Sequence, residues 1–350
     1  MQRRLVLDYR RPGRGVARLE AVAEDVGRSP VVQGFDIIKG QGPCNRLCFL
    51  NMSLPNFLVI GAGRSGTTSL HHYLGQHPDV FISASKAPSY FYCCDTPPSE
   101  DPYQHLVSRN YFVRDFEKYQ ALFDEAGSER AIGEVSPVYL ATTQAASRIA
   151  ERIPEAKLLA IVRNPVERAY ARFLGRTRDG LERKTRFAEI VREESKAGLL
   201  RDDASGTYVA SGFVFHFLES YLEQFPRESI CIRLFEDLKN DAEGLVSDFF
   251  EFLGVDGDFR PSLERRHNPS GGTIRQPLLR YIWTNTGLLR ARLRPFLPVK
   301  MRNTVFGLLP MERVDRPLDS EVRAELIELF RDDVLKLQDW LDRDLSAWLE

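Results

Sequence analysis

The feature that most constrains this chain is GAGRSGTTS, Gly61 to Ser69, set between an apolar run and a helical pattern. Residues 57–62, FLVIGA, form the continuous apolar stretch that a strand needs when both faces of its sheet are covered. TTSLHHYLGQHP then reads as a helix, with Leu70, Tyr73 and Leu74 on one face and Pro78 ending it. A glycine-rich turn in that setting lets backbone amides curl around a phosphate, and the helix N-terminus adds donors and partial positive charge. A tight turn with no ligand is the alternative reading. Gly61 and Gly66 have the spacing of the nucleotide triphosphatase loop GxxxxGKS/T, but Thr67 stands where its lysine belongs. The loop's cation is Arg64, inside the turn, and no later aspartate at a strand end reads as a metal ligand. This pattern argues against a kinase or nucleotide triphosphatase, which uses the lysine and Mg²⁺ on the β- and γ-phosphates.

Further strand–loop–helix units follow along the chain. Val80–Ile82 and Ala131–Ile132 read as strands, as do Leu158–Val162 and Ile230–Leu234. Helices are expected over residues 142–152, from Pro165 at a first turn, over 207–226, over LVSDFFEFLGV with a Gly254 cap, and over 319–341. Such alternation predicts an α/β fold with a central parallel sheet, P-loop-like, and helices on both faces. Residues 1–51 show no sustained period, so we expect a poorly structured or loosely packed N-terminal extension and a folded domain over 52–350.

The 48 basic and 49 acidic residues nearly cancel, which gives no reason to expect nucleic acid as a partner. No apolar run reaches the length of a membrane span, and no signal peptide is evident, so no transmembrane segment is expected. Five unevenly spaced cysteines (Cys44, Cys48, Cys93, Cys94 and Cys231) fit a reducing cytoplasm, and the Cys44/Cys48 pair lacks the partners of a zinc site. No metal is expected.

Residues 54–81, LPNFLVIGAGRSGTTSLHHYLGQHPDVF, resemble the phosphosulfate-binding strand–loop–helix of sulfotransferases that use 3′-phosphoadenosine-5′-phosphosulfate (PAPS). That resemblance implies Arg64, Ser65, Gly66, Thr67, Thr68 and Ser69 as contacts to the 5′-phosphosulfate. LLAIVRNPVERAYARF, residues 158–173, is similar to the family's 3′-phosphate segment, strand–RNPxxRAxSxY. Read from the residues themselves, Arg163 ends a buried strand where ligands of open α/β sheets lie, and its guanidinium suits a bidentate phosphate contact; helix capping or carboxylate pairing is the plainer alternative. Arg168 reads as structural. Ala171 stands where the family carries a phosphate-binding serine, a departure that implies weaker donor binding. GEVSPVYL at 133–140, RLFEDLKND at 233–241 and RHNPSGGTIRQPLL at 266–279 extend the resemblance, the last with Arg275 as a phosphate contact or a solvated loop arginine.

The resemblance implies transfer of a sulfuryl group from PAPS to a hydroxyl or amine, leaving adenosine 3′,5′-bisphosphate (PAP). The acceptor is expected to be a small molecule, lipid or glycan, and the oligomeric state is left open. In SKAPSYF, residues 85–91, Lys86 looks like the residue that orients the sulfuryl group, but Ala87 and Ser89 replace the Glu and His that commonly supply a base. Neither replacement can accept a proton near neutral pH. Glu134 at a strand end and His216 in an aromatic helix are the candidates for that role, with His71 and His72 behind them; holding a loop amide in place is the alternative reading of Glu134, and a core or surface position that of the histidines. Aromatic clusters at Tyr90–Tyr92, Phe213–Phe217 and Tyr281–Trp283 are read either as acceptor cleft or as core. A catalytically silent PAP- or PAPS-binding protein and, behind it, an aberrant P-loop kinase are the alternatives.

Overall fold

The computed structural model describes residues 54–94, 112–178, 182, 184, 186–263, 273–274, 286, 311–312 and 317–350, all within the compact unit Met52–Glu350. The expected extension over residues 1–51 lies outside them, as do Arg275, Cys44, Cys48 and Tyr281–Trp283.

Five strands form the sheet: β1 (Phe57–Gly61), β2 (Val80–Ile82), β3 (Ala131–Val135), β4 (Lys157–Val162) and β5 (Ile230–Leu234). Their order is β2-β3-β1-β4-β5, and every pairing is parallel. β6 (Thr273–Ile274) and β7 (Met311–Glu312) make a separate antiparallel pair. The helices are α1 (Thr67–Leu74), α2 (Tyr90–Cys93), α3 (Phe116–Gln120), α4 (Thr143–Arg152), α5 (Pro165–Arg178), α6 (Phe187–Ala197), α7 (Val214–Leu222), α8 (Phe235–Asn240), α9 (Ala242–Leu253) and α10 (Ser320–Leu341).

Successive side chains of a strand point to opposite faces, and the central strands are apolar on both. Leu58, Ile60, Leu158 and Val162 pack with Ile149 of α4, Phe173 of α5, Phe217 of α7 and Phe330 of α10. Phe57, Val59, Leu159 and Ile161 pack on the other face with Leu70 and Leu74 of α1 and Phe249 and Phe250 of α9. Each such fully buried Leu or Phe contributes roughly 1.5–3 kcal/mol of transfer free energy, and this double burial is what dictates an all-parallel sheet. The expected α/β architecture is therefore the observed one.

Two helices depart from the sequence expectation. α1 stops at Leu74 rather than running to Pro78, because Gly75 caps it: its amide donates to the His71 carbonyl, and the next amide, of Gln76, donates to that of Tyr73. The helix expected over 207–226 is shortened to α7, preceded by a tight turn at Ala210–Gly212. The Ser211 amide and hydroxyl both bond to Thr207, and a side chain on Gly212 would run into the Phe330 ring. Asp333 of α10 then accepts the amides of Phe215 and His216 at 3.0 and 2.9 Å, so a residue distant in sequence caps α7.

Tyr90 and Phe91 are buried in the core, with Tyr90 stacked on Tyr119. Phe213 and Phe217 are likewise core. For these aromatic residues the core reading holds over the acceptor-cleft one.

Candidate active site

β1 and β4 are neighbours, so the loops that leave their last residues emerge side by side at the carboxyl edge of the sheet. Arg163 comes directly after β4, and Arg64 comes three residues after the end of β1. The two arginines that the sequence separates by about a hundred positions thus belong to one edge, where open α/β sheets bind ligands.

The β1–α1 loop is sharply curled. Arg64 and Gly66 both take left-handed backbone conformations, with φ of 72° and 92°. Alternation of this kind makes a concave run of amides suited to an anion. At Gly66 only glycine fits, since a Cβ there would also collide with Leu238. The first turn of α1 contains no acidic residue to offset its positive end. Within the loop the Ser65 hydroxyl is fully buried and has no hydrogen-bond partner.

Lys86 reaches this loop from the other side, its ammonium donating to the Thr68 hydroxyl. Burial, and then the nearby Arg64 charge, lower its pKa to about 8. Arg64 lies against Gly175 of α5, where any side chain would displace the guanidinium. His71 sits close by, its Nε2–H donating to the Ser83 carbonyl at 3.0 Å; burial holds its pKa below the usual value. His72 is exposed on the same helix.

The segment carrying Lys86 is held by a buried network of hydroxyls around one carboxyl group. Ala87 and Ser89 both have positive φ, 58° and 56°. The Ala87 amide donates to the Val135 carbonyl at 3.0 Å, and the Ser89 amide to Ser136 Oγ at 2.9 Å. The Ser136 hydroxyl in turn donates to Glu134 Oε2 at 2.7 Å, while Tyr139 and Tyr119 donate to Oε1 at 2.7 and 3.4 Å. Glu134 is fully buried, and its pKa rises to about 7 because burial outweighs the three hydroxyl donors. Of the two readings of Glu134, general base or holder of a loop amide, the geometry favours the second: its carboxylate is sealed beneath the Lys86 segment and braces it through Ser136.

On α5, Asn164 caps the first turn by accepting the Val166 and Glu167 amides at 2.9 and 3.2 Å. Arg163 stacks over Phe235, 4.8 Å from the ring centroid, and lies 3.7 Å from Glu167. Glu167 is shared with Arg323 of α10. Ala171 is buried on the same helix. Arg168 donates to the Tyr208 carbonyl at 3.1 Å and the Ser211 hydroxyl at 3.0 Å, which ties the chain before α7 to α5, as its structural reading requires.

A cavity of about 220 Å³ opens beside the loop, its wall including Ala62, Gly63, Val138, Arg168, Arg172 and Ser205. Neither Glu134 nor His216 lines it. His216 packs on Phe217, its amide bonds to Asp333, and its Nε2 is buried without a hydrogen-bond partner. The structure thus brings together Arg64, Ser65, Gly66, Thr67, Thr68, Ser69 and Lys86 at one edge with Arg163, and leaves His216 on the α10 side of α7. Sequence reasoning missed Arg172 and the Ser136–Tyr139 brace. The four-residue spacing of Arg168, Arg172 and Arg176 was the available signal for the first.

No helix among the described residues is long and apolar enough to cross a membrane. Comparison with known proteins agrees with the sequence resemblance. The profile of the sulfotransferase family matches residues 55–259. The crystal structure of a sulfotransferase from Alicyclobacillus acidocaldarius superposes with a TM-score of 0.63 at 30% identity, covering 85% of this chain and all of that one. A membrane-associated sulfotransferase of Dictyostelium discoideum is 24% identical over 66% of this chain and 63% of its own length. Human heparan sulfate glucosamine 3-O-sulfotransferase 6 is 29% identical over 57% of this chain and 52% of its own. The chain therefore spans less than two thirds of these curated relatives. The curled anion loop, the second arginine at the neighbouring strand end and these matches agree: the chain belongs to the sulfotransferase family.

Proposed function

We propose that this protein is a PAPS-dependent sulfotransferase acting on a hydroxyl or amine. The observation that carries the reading is the pairing of Arg64 and Lys86 at the uncompensated head of α1. Two cations set beside one another in a half-buried site fit a ligand with several negative charges, and the orphaned Ser65 hydroxyl fits an oxyanion contact. Bound PAPS supplies an activated sulfuryl group: its S–O bond to the 5′-phosphate breaks, an S–O or S–N bond to the acceptor forms, the acceptor proton is released, and the departing phosphate oxygen of PAP keeps the bonding electron pair.

The residues of the chain divide that work. Arg64, Lys86, Thr67, Thr68, Ser69 and the loop amides hold the 5′ end and stabilise charge developing there. Arg163 holds the 3′-phosphate, without a serine at position 171 to help. Glu134 acts through Ser136 and the Ser89 amide to fix the segment bearing Lys86, a positioning role. The acceptor is a small molecule, lipid or glycan; the glycan option draws support from the heparan sulfate relative. The cysteine content supports a cytoplasmic location. Calorimetry with PAP in metal-free buffer is expected to give saturable binding, and radiolabelled PAPS is expected to yield a sulfated product from an extract of acceptors. A chain that binds ATP with Mg²⁺ in preference to PAP would end this reading. Binding of PAP with no turnover would select a second one, a silent nucleotide-binding protein, which the lack of a carboxylate or histidine among the described residues that line the cavity favours.

Lys86 supplies a pH signature. With its pKa near 8 in the free protein, its charge is present at pH 7 and lost as pH rises. Affinity for PAP is therefore expected to fall between pH 7 and 9. Lys86→Arg, charged throughout, should flatten the profile; parallel profiles for the two proteins would remove Lys86 from the anion site.

A further inference from the structure

α5 carries Arg168, Arg172 and Arg176 at four-residue steps, which places all three on one face. That face forms one wall of the cavity, whose lining begins at Ala62 and Gly63, the opening residues of the anion loop. Arg168 and Arg172 are the charged residues lining it among those described, and Val138, Ala141 and Val214 make much of the rest apolar. At about 220 Å³ the space suits the reacting end of a ligand rather than a whole drug-sized molecule.

These guanidinium groups are poorly compensated. Arg172 donates to the Ser205 carbonyl at 2.7 Å, and the Nε atoms of Arg168, Arg172 and Arg176 are all buried without a hydrogen-bond partner. None of the three joins an ion pair among the described residues. The acid whose charge reaches Arg168 and Arg172, Glu194, is not paired with either and accepts the amides of Tyr208, Val209 and Ala210 at 2.8, 2.7 and 3.3 Å. Burial and then the neighbouring Arg176 lower Arg172 to about 10, and Arg64 adds to the repulsion. Removing cations from water beside one another, with neutral groups as hydrogen-bond partners, is costly unless an anion completes the site. Arg168 has a structural task that accounts for it. Arg172 holds a single carbonyl, and its position on the cavity wall beside the loop is unexplained by packing.

We infer that the acceptor itself carries an oxyanion, a carboxylate or a phosphate or sulfate ester, which seats on Arg172 with Arg168 behind it while the reacting hydroxyl or amine lies toward Gly63. The inference rests on the sulfotransferase reading, and it makes Arg172 the residue that selects acceptors. A bidentate guanidinium–oxyanion contact in a partly dry cavity discriminates strongly against a neutral analogue, because the neutral analogue leaves the cation buried and unmatched.

The test uses the full chain, first saturated with PAP, and matched probes: 4-hydroxybenzoate against 4-cresol, glucuronate against glucose, and glycerol 3-phosphate against glycerol. The anionic member of at least one pair is expected to bind ten-fold or more tightly than its neutral partner by calorimetry. Arg172→Ala should abolish that preference, Arg172→Lys should restore part of it, and PAP affinity should stay unchanged in both. Equal binding within every pair, or no binding of any anionic probe, overturns the inference. So does an Arg172→Ala variant that weakens PAP, since Arg172 would then be a donor contact, or one that weakens charged and neutral probes alike with a lowered melting temperature, since its role would then be structural. Failure of the sulfotransferase reading looks different: PAP does not bind to the wild-type chain at all.

Discussion

Replacing Arg163 by alanine will weaken the binding of PAP by about ten- to a hundred-fold while leaving the fold intact. A charge-assisted hydrogen bond to phosphate is worth roughly 1.5–3 kcal/mol, and about 1.4 kcal/mol is one decade of affinity. Two features of the site put the effect toward the upper end. The Arg163 side chain is only 17% exposed, so solvent screens it little, and Ala171 supplies no hydroxyl to share the load. Stability should change little, because among the described residues the contacts of Arg163 are Glu167, which keeps Arg323 as partner, and the face of Phe235. Calorimetric titration of PAP into Arg163→Ala and wild type decides the matter; unchanged affinity would place the 3′-phosphate elsewhere.

The second large effect is on folding. Glu134→Ala removes the acceptor of three hydroxyls in a fully buried setting and is expected to destabilise the protein by about 3 kcal/mol or more. The carboxyl also leaves a mark on the pH dependence. Its pKa in the folded protein, about 7, exceeds the reference 4.5, so between those values the folded state binds the extra proton. The stabilisation from that proton is fully present below about pH 4.5 and is lost as pH rises through about 7, with an amplitude of about 3 kcal/mol at ~1.4 kcal/mol per pKa unit. Asp333, raised to about 6 by burial, adds a slope of the same sign. Glu134→Gln should remove the Glu134 share and leave the Asp333 share. Urea midpoints at pH 5 and 7.5 measure it, and identical slopes in the two proteins would mean that Glu134 is ionised throughout.

Local neighbours in the chain decided everything that was legible in the sequence. The apolar run before Gly61, the hydroxyl residues after Gly66 and Pro165 directly after Arg163 and Asn164 each fix a strand end and a helix start locally. Because strand and loop come as one piece, the two arginines could be assigned to the carboxyl edge without coordinates. Glu134 was different. Its strand position was readable, and Ser136 and Tyr139 lie in the same segment, but Tyr119 on α3 and the Ser89 amide that Ser136 holds come from elsewhere in the chain and leave no local trace. The same holds for α7, whose start is set by Asp333 more than a hundred residues later. Arg172 went unnoticed, since arginines at helical spacing usually face water, and the cavity shows that this stripe does not.

Helix α5 has a consequence for how such a protein can change. Its first residues come just after Arg163, its middle presents Arg168 and Arg172 to the cavity, and its Gly175 seats Arg64. With the nucleotide and acceptor seated as proposed, one rigid rod would gauge the separation between both ends of the nucleotide and the molecule to be modified. An insertion or deletion of a single residue within it would rotate the later positions by about 100° and put all three out of step together. New acceptor preferences should accordingly arise by exchange of side chains along this rod, with its length kept fixed.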